Sequence, residues 1–117
     1  MVASLKEAAD TARKAILQSN ILHATASSDV LAMNQMVRWI NVKEEHCAKI
    51  ITTVAEYCLC QRVKKDVFAS DGDYVDALKA HHAVMQAAMK VKQSMTSAAS
   101  DTLDHALSDM AKMYTPA

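Results

Sequence analysis

The chain has 117 residues, about half of them apolar, with one glycine, one proline and five aromatic side chains, and its 13 basic and 13 acidic residues cancel. That length fits one domain, 1–117, with a real core, while so little glycine and proline excludes a fold built on hairpin turns. A neutral chain has no broad field to gather DNA, RNA or anionic lipid, so nucleic-acid binding is not expected.

In chain order, Leu5, Ala9, Ala12 and Ile16 recur at spacings of four and three, with Lys6, Glu7, Asp10, Arg13 and Lys14 opposite them. This predicts an amphipathic first helix from Ala3. Its pattern loosens at Ser19 and Asn20, and Ser27, Ser28 and Asp29 offer side-chain oxygens to cap a second helix. The second stripe is Val30, Met33, Val37 and Ile40, widened by Met36 and Trp39, with a break expected at Asn41, which precedes Glu44 as a capping pair would.

A longer helix, 42–70, then carries Cys47, Ile50, Val54, Tyr57 and Gln61 on one side. Ser70-Asp71-Gly72-Asp73 should stop it through a left-handed glycine and start another over 73–96, lined by Tyr74, Ala77, Leu78, His81, Val84, Met85, Ala88, Val91 and Met95. A softer boundary at Ser97–Asp101 precedes a last stripe of Leu103, Ala106, Leu107, Met110 and Tyr114, closed by Pro116. Alanine favours helix, so that boundary could also be continuous. The expected fold is all-α, an up-and-down antiparallel bundle of four to five helices with 42–70 and 73–96 as its central hairpin.

Candidate chemistry is sparse. His81 and His82 are adjacent and diverge by about 100° on a helix, whereas two ligands from one helix normally stand three or four apart. His81 falls in the apolar stripe and reads as a hydrogen-bonded core residue; His82 reads as solvated. Ala80-His81-His82-Ala83-Val84-Met85 lacks the lysine and glycine that follow the histidine of phosphotransfer domains. Cys58 and Cys60 point to nearly opposite sides of a helix and have no second pair, which argues against zinc. Cys58 reads as a small core residue, with redox chemistry at Cys60 conditional on exposure. His46-Cys47 comes without an oxyanion-stabilising turn, and Glu7, Glu44, Glu45 and Glu56 have no histidine three residues later, as a di-iron bundle requires.

Gly72-Asp73-Tyr74-Val75-Asp76-Ala77-Leu78, followed by His81, resembles the opening of the second helix of tetratricopeptide repeats. It is similar there to microtubule-interacting and trafficking domains and to the helical domain shared by the COPII outer-shell protein and the steroid receptor RNA activator. The resemblance covers about fourteen residues and implies an adaptor. The preceding helix departs from the repeat pattern, with Gln61, Lys64 and Lys65 at its apolar and glycine positions, and no second copy follows at a period of about 34, so no family is assigned.

The leading expectation is therefore a non-enzymatic interaction module, adaptor, scaffold or self-associating, that presents an alanine- and methionine-rich helical surface to another protein or to a second copy of itself. Met33, Met36, Trp39, Tyr74, His81 and Met85 are its expected contact residues, with no catalytic residue, metal or cofactor. The alternative is a small-ligand or metal-binding bundle with its site between helices, using His46, His81 and one cysteine. Three cysteines in helical stretches, no basic-then-apolar leader and no membrane-length apolar run point to a cytoplasmic protein without a membrane span.

Overall fold

The computed structural model describes residues 1–114. Four α-helices run α1 (Val2–Ala26), α2 (Val30–Thr52), α3 (Asp71–Lys92) and α4 (Ser97–Ala111), and α2 continues into a π-helical segment, Thr53–Leu59. Each packs against its neighbours in sequence, and α4 closes against α1, which makes the up-and-down bundle expected from the periodicity. Pro116, expected to close the last helix, lies outside the described residues.

Side-chain caps set three of the four helix starts. Asp29 Oδ1 accepts the amides of Leu31 and Ala32 at 3.0 and 3.4 Å, Ser70 Oγ accepts the Asp73 amide at 3.1 Å, and Thr96 Oγ1 accepts the Ala99 amide at 3.4 Å. Asp71 and Asp73 in the first turn of α3, with Lys90 and Lys92 in its last, complement the helix dipole.

Several expected boundaries move. α1 runs through Ser19 and Asn20 to Ala26, and α2 runs through Asn41 without a break. The helix expected over 42–70 is instead the second half of α2 plus the π segment, so the most extensive helix pair is α1 with α2 and not the expected central hairpin. Gly72 sits within the first turn of α3 and not in a left-handed stop, because Ser70 already caps that helix. The last link is 93–96, upstream of the expected 97–101, because Thr96 supplies the cap.

The core is made of Leu5, Ala8, Ala9, Ala12 and Ile16 from α1, Cys47, Ile50 and Val54 from the α2 column, Val84, Ala87, Ala88 and Val91 from α3, and Ala99, Leu103, Leu107 and Met110 from α4. Alanine dominates the α1 contribution, and its small side chain lets neighbouring helices approach closely. Across the α1–α4 seam Arg13 Nη2 reaches both Asp101 and Asp104 at 2.7 Å.

The expected α2 stripe is the main packing error. Val30 is 85 % exposed, Met33 and Val37 are exposed, and Ala32, Lys43, Cys47 and Ile50 point inward. The reason is length. The α3–α4 link is fastened by Asn20, whose amide donates to Met95 O at 3.0 Å, and by Lys43, whose ammonium donates to Lys92 O and Ser94 O at 2.8 Å. Past Asn20 the last six residues of α1 add about 9 Å of helix, so among the described residues no third or fourth helix lies against the tip of the α1–α2 hairpin, and the molecule is 59 Å long and 22 Å wide.

Candidate functional site

The strongest polar constellation lies at the opposite end of the bundle. It joins Met1 at the start of α1, Cys58 in the π segment, His81 in α3 and Tyr114 just beyond α4. The π turn explains why Cys58 takes part. Its bonds run from each amide to the carbonyl five residues back, as in Cys60 N to Ala55 O at 3.1 Å and Val63 N to Cys58 O at 2.8 Å. A wider turn needs more residues to return to one face, so after Val54 it is Cys58 that is buried, while Tyr57, the residue of the expected stripe, is exposed with Arg62 against its ring.

His81 is 1 % exposed, and both of its ring nitrogens are engaged. Nδ1 lies 2.7 Å from Ala77 O, which only accepts, so Nδ1 carries the proton; in the neutral ring Nε2 then accepts the Tyr114 hydroxyl, 2.5 Å away. The two rings meet edge to face at 5.6 Å. The Cys58 thiol has Met1 Sδ within reach as an acceptor, at 3.9 Å, and the Tyr114 hydroxyl bears on it electrostatically. Burial pushes the Cys58 thiol up, against the Tyr114 hydroxyl and Arg62, which favour the thiolate. Burial, then the interaction with Cys58, also pushes the Tyr114 phenol well above its ordinary value. The Cys58 thiol and the Tyr114 phenol therefore stay uncharged at neutral pH, in keeping with an apolar setting.

The six residues expected to form one contact surface fall in different places. Met33 is exposed on the protruding hairpin, and Met36 and Trp39 are half-buried beside it, with Lys14 Nζ 5.7 Å from the indole centroid. Trp39 lines an open groove of about 450 Å³ with Gln18, Leu22, Gln35, Arg38 and Val42. Tyr74 is in the body, its ring 5.8 Å from that of Phe68, and Met85 packs against the core. His81 is withdrawn from any surface by its burial, which removes it from the expected contact set.

The alternative set of His46, His81 and a cysteine is not assembled either. His46 Nδ1 is bonded to Val42 O at 2.8 Å within its own helix. Lys43 and Lys92 lie at one level of the bundle, which by helical rise separates His46 from His81 by on the order of 10 Å along the axis, several times a metal–ligand bond. Cys47 is buried and its thiol is pushed up to about 11, chiefly by desolvation. Cys58 is buried and Cys60 exposed; all three cysteines are free thiols. Tyr114 and Met1 were missed as members of the constellation. Tyr114 follows Met110 by four residues, which places it on the core face of α4, and only the helix arrangement brings it to His81.

The sequence matches the nickel-containing superoxide dismutase family over residues 3–117. No curated protein and no solved structure matches the chain. The family match overturns the expectations of a non-enzymatic adaptor and of no enzyme: this is a family of redox enzymes named for nickel, and it favours the metal-binding alternative. The short tetratricopeptide resemblance reflects what any tight helical start requires and does not extend to kinship. As a donor set, however, the described residues do not fit nickel. Among them no three histidine, cysteine, aspartate or glutamate side chains converge, and both nitrogens of the one buried histidine are committed to Ala77 and Tyr114.

Proposed function

Because the chain belongs to the nickel-containing superoxide dismutase family, we propose that it works in the disproportionation of superoxide: one radical anion gives up an electron to become dioxygen, and a second takes up an electron and two protons to become hydrogen peroxide. The match across nearly the whole chain is the single observation that carries this reading. No step is assigned to a metal here, since the described side chains do not form its ligand set. What the bundle's own residues supply is a stiff frame, with a packed alanine-rich centre, Lys43 holding the α3–α4 link to α2, and Arg13 clasping α4 to α1.

The working form is proposed to be a homo-oligomer in which a second copy covers the α1–α2 tip. Leu17, Ile21, Val30, Leu31, Met33 and Val37 are exposed there, and Met36 and Trp39 flank them. Such a concentration of apolar side chains on a small protein marks an interaction surface. The exposed thiol of Cys60 and the two buried ones suit a reducing compartment, and a cytoplasmic location is proposed on that ground. Among the described residues no helix is long and apolar enough to cross a membrane.

The decisive experiment measures superoxide consumption and metal content on the same purified samples, with and without added nickel(II). The expected result is catalysis that rises in proportion to bound nickel. Full nickel loading with no catalysis above that of free nickel would overturn the proposal, as would a protein that takes up no nickel. Sedimentation of the native protein tests the oligomer, and a monomer at micromolar concentration argues against it.

A further inference from the structure

We propose that the outer groove between α1 and α2 is a binding site for a small planar aromatic carboxylate. The groove has a volume of about 450 Å³ and is lined by Gln18 and Leu22 from α1 and by Gln35, Arg38, Trp39 and Val42 from α2. Small-molecule sites are clefts of about 300 to 1,000 Å³ with apolar walls and a few convergent polar groups. Here Leu22, Val42 and the half-buried indole make the walls, and two side-chain amides and one guanidinium converge on them. The groove is distinct from the surface proposed for a second copy. Gln18 and Leu22 follow Leu17 and Ile21 by one residue each, so they stand about 100° round α1 from them. They also face away from Asn20 and Arg13, which bond to the α3–α4 link and to α4.

Charge decides what fits. From Lys14 to Val42 the one acidic residue is Asp29, and its carboxylate is spent capping α2 at the tip of the hairpin. The neighbouring cations Arg13 and Lys43 are committed, to Asp101 and Asp104 and to two backbone carbonyls. Arg38 and Lys14 are not: among the described residues neither makes an ion pair, and the Lys14 ammonium rests over the Trp39 ring, 5.7 Å from its centroid. An anion is the missing member. A carboxylate offers two coplanar oxygens to the guanidinium fork, and an aromatic ring attached to it lies against the indole and the aliphatic walls. Gln18 and Gln35 each bring a donor and an acceptor for polar substituents on that ring. An aliphatic acid would satisfy the cations and leave the indole unused, and a neutral aromatic would do the reverse. This site does not depend on the superoxide reading.

Trp39 is the only tryptophan in the chain, so a single indole N–H peak in a proton–nitrogen correlation spectrum reports on the groove. Titrating the full-length protein with naphthoate is expected to shift that peak saturably, together with the side-chain amide peaks of Gln18 and Gln35. Naphthamide, which keeps the rings and lacks the charge, should bind about 10-fold more weakly, and so should naphthoate to Arg38→Gln. Lys14→Gln should lose about threefold. Arg38 and Lys14 are both exposed, so these replacements leave the bundle folded. No saturable shift of the indole peak, equal binding of naphthoate and naphthamide, or undiminished binding by Arg38→Gln would each overturn the site. Cyclohexanecarboxylate binding as tightly as naphthoate would overturn its aromatic specificity, and shifts confined to Leu31, Met33 and Val37 would overturn its location. Nickel loading and superoxide consumption are measured without naphthoate, so failure of either reading leaves the other standing.

Discussion

The two ends of this bundle solve opposite problems with the same kind of helix. At the Met1 end four chain segments converge, and the imidazole, phenol and thiol there satisfy one another inside the protein. At the other end α1 and α2 stand alone, and the side chains that repeat every three or four positions face water. Amphipathic periodicity is a demand for cover, and the number of helices present at each level decides whether a single chain meets it. The closed end holds the buried polar network, and the open end is where a second copy is proposed.

The sharpest way to break this contrast is to truncate one leucine at each end. Leu103 is 1 % exposed and Leu31 is 63 % exposed. Leu103→Ala should cost about 2 to 5 kcal/mol in urea unfolding through lost burial and a cavity, whereas Leu31→Ala should leave the monomer's stability within about 0.5 kcal/mol. Comparable losses at both positions would show that the tip is packed in the unfolding species, as a tight oligomer requires.

Alkaline pH gives the next largest effect. The folded state holds the Cys47 proton up to about 11, above a thiol's ordinary value of 9.0, so the unfolded state releases that proton first. Stability should be intact below about pH 9 and fall through the interval to pH 11, by roughly 2 kcal/mol. Tyr114, raised as well, acts in the same direction at higher pH. Urea midpoints at pH 8 and pH 11 measure the slope, and Cys47→Ala should flatten it.

Removing the hydroxyl that links the closed end should matter less. Tyr114→Phe leaves His81 Nε2 without its donor and should cost about 1 to 3 kcal/mol, read from the thermal midpoint. The smallest effect is expected at Arg13, whose ion pairs with Asp101 and Asp104 are largely solvated at side-chain exposures of 35 %, 64 % and 44 %. Arg13→Gln should cost less than about 1 kcal/mol, and less again in 0.5 M salt.

Much of the fold was legible because local rules governed it. Leu5, Ala9, Ala12 and Ile16 are buried as their spacing predicted, and Asp29 caps α2 where its carboxylate was expected to. Asn41 misled because a cap residue marks a helix start only when the chain leaves the helix before it, and nothing in 38–41 makes it leave. Val30, Met33 and Val37 misled for a different reason: their periodicity is real, but the helices that would have covered them stop short. The site was the least legible part. His81 was read as a hydrogen-bonded core residue and is one, yet neither its Tyr114 partner nor the Cys58–Met1 contact has a signature in sequence, since they join residues 33 and 57 positions apart. The enzymatic family was invisible to residue reasoning because no cluster of donors among the described residues announces it.

Sequence alone determined that this chain is helical and which faces of α1, α3 and α4 are greasy, because helix propensity, capping and a 3.6-residue repeat act over a few neighbours. Tertiary structure decided which of those faces are covered, and that His81, Tyr114 and Met1 meet the buried Cys58. Those outcomes depend on helix length, register and stacking, which are set by the whole bundle at once.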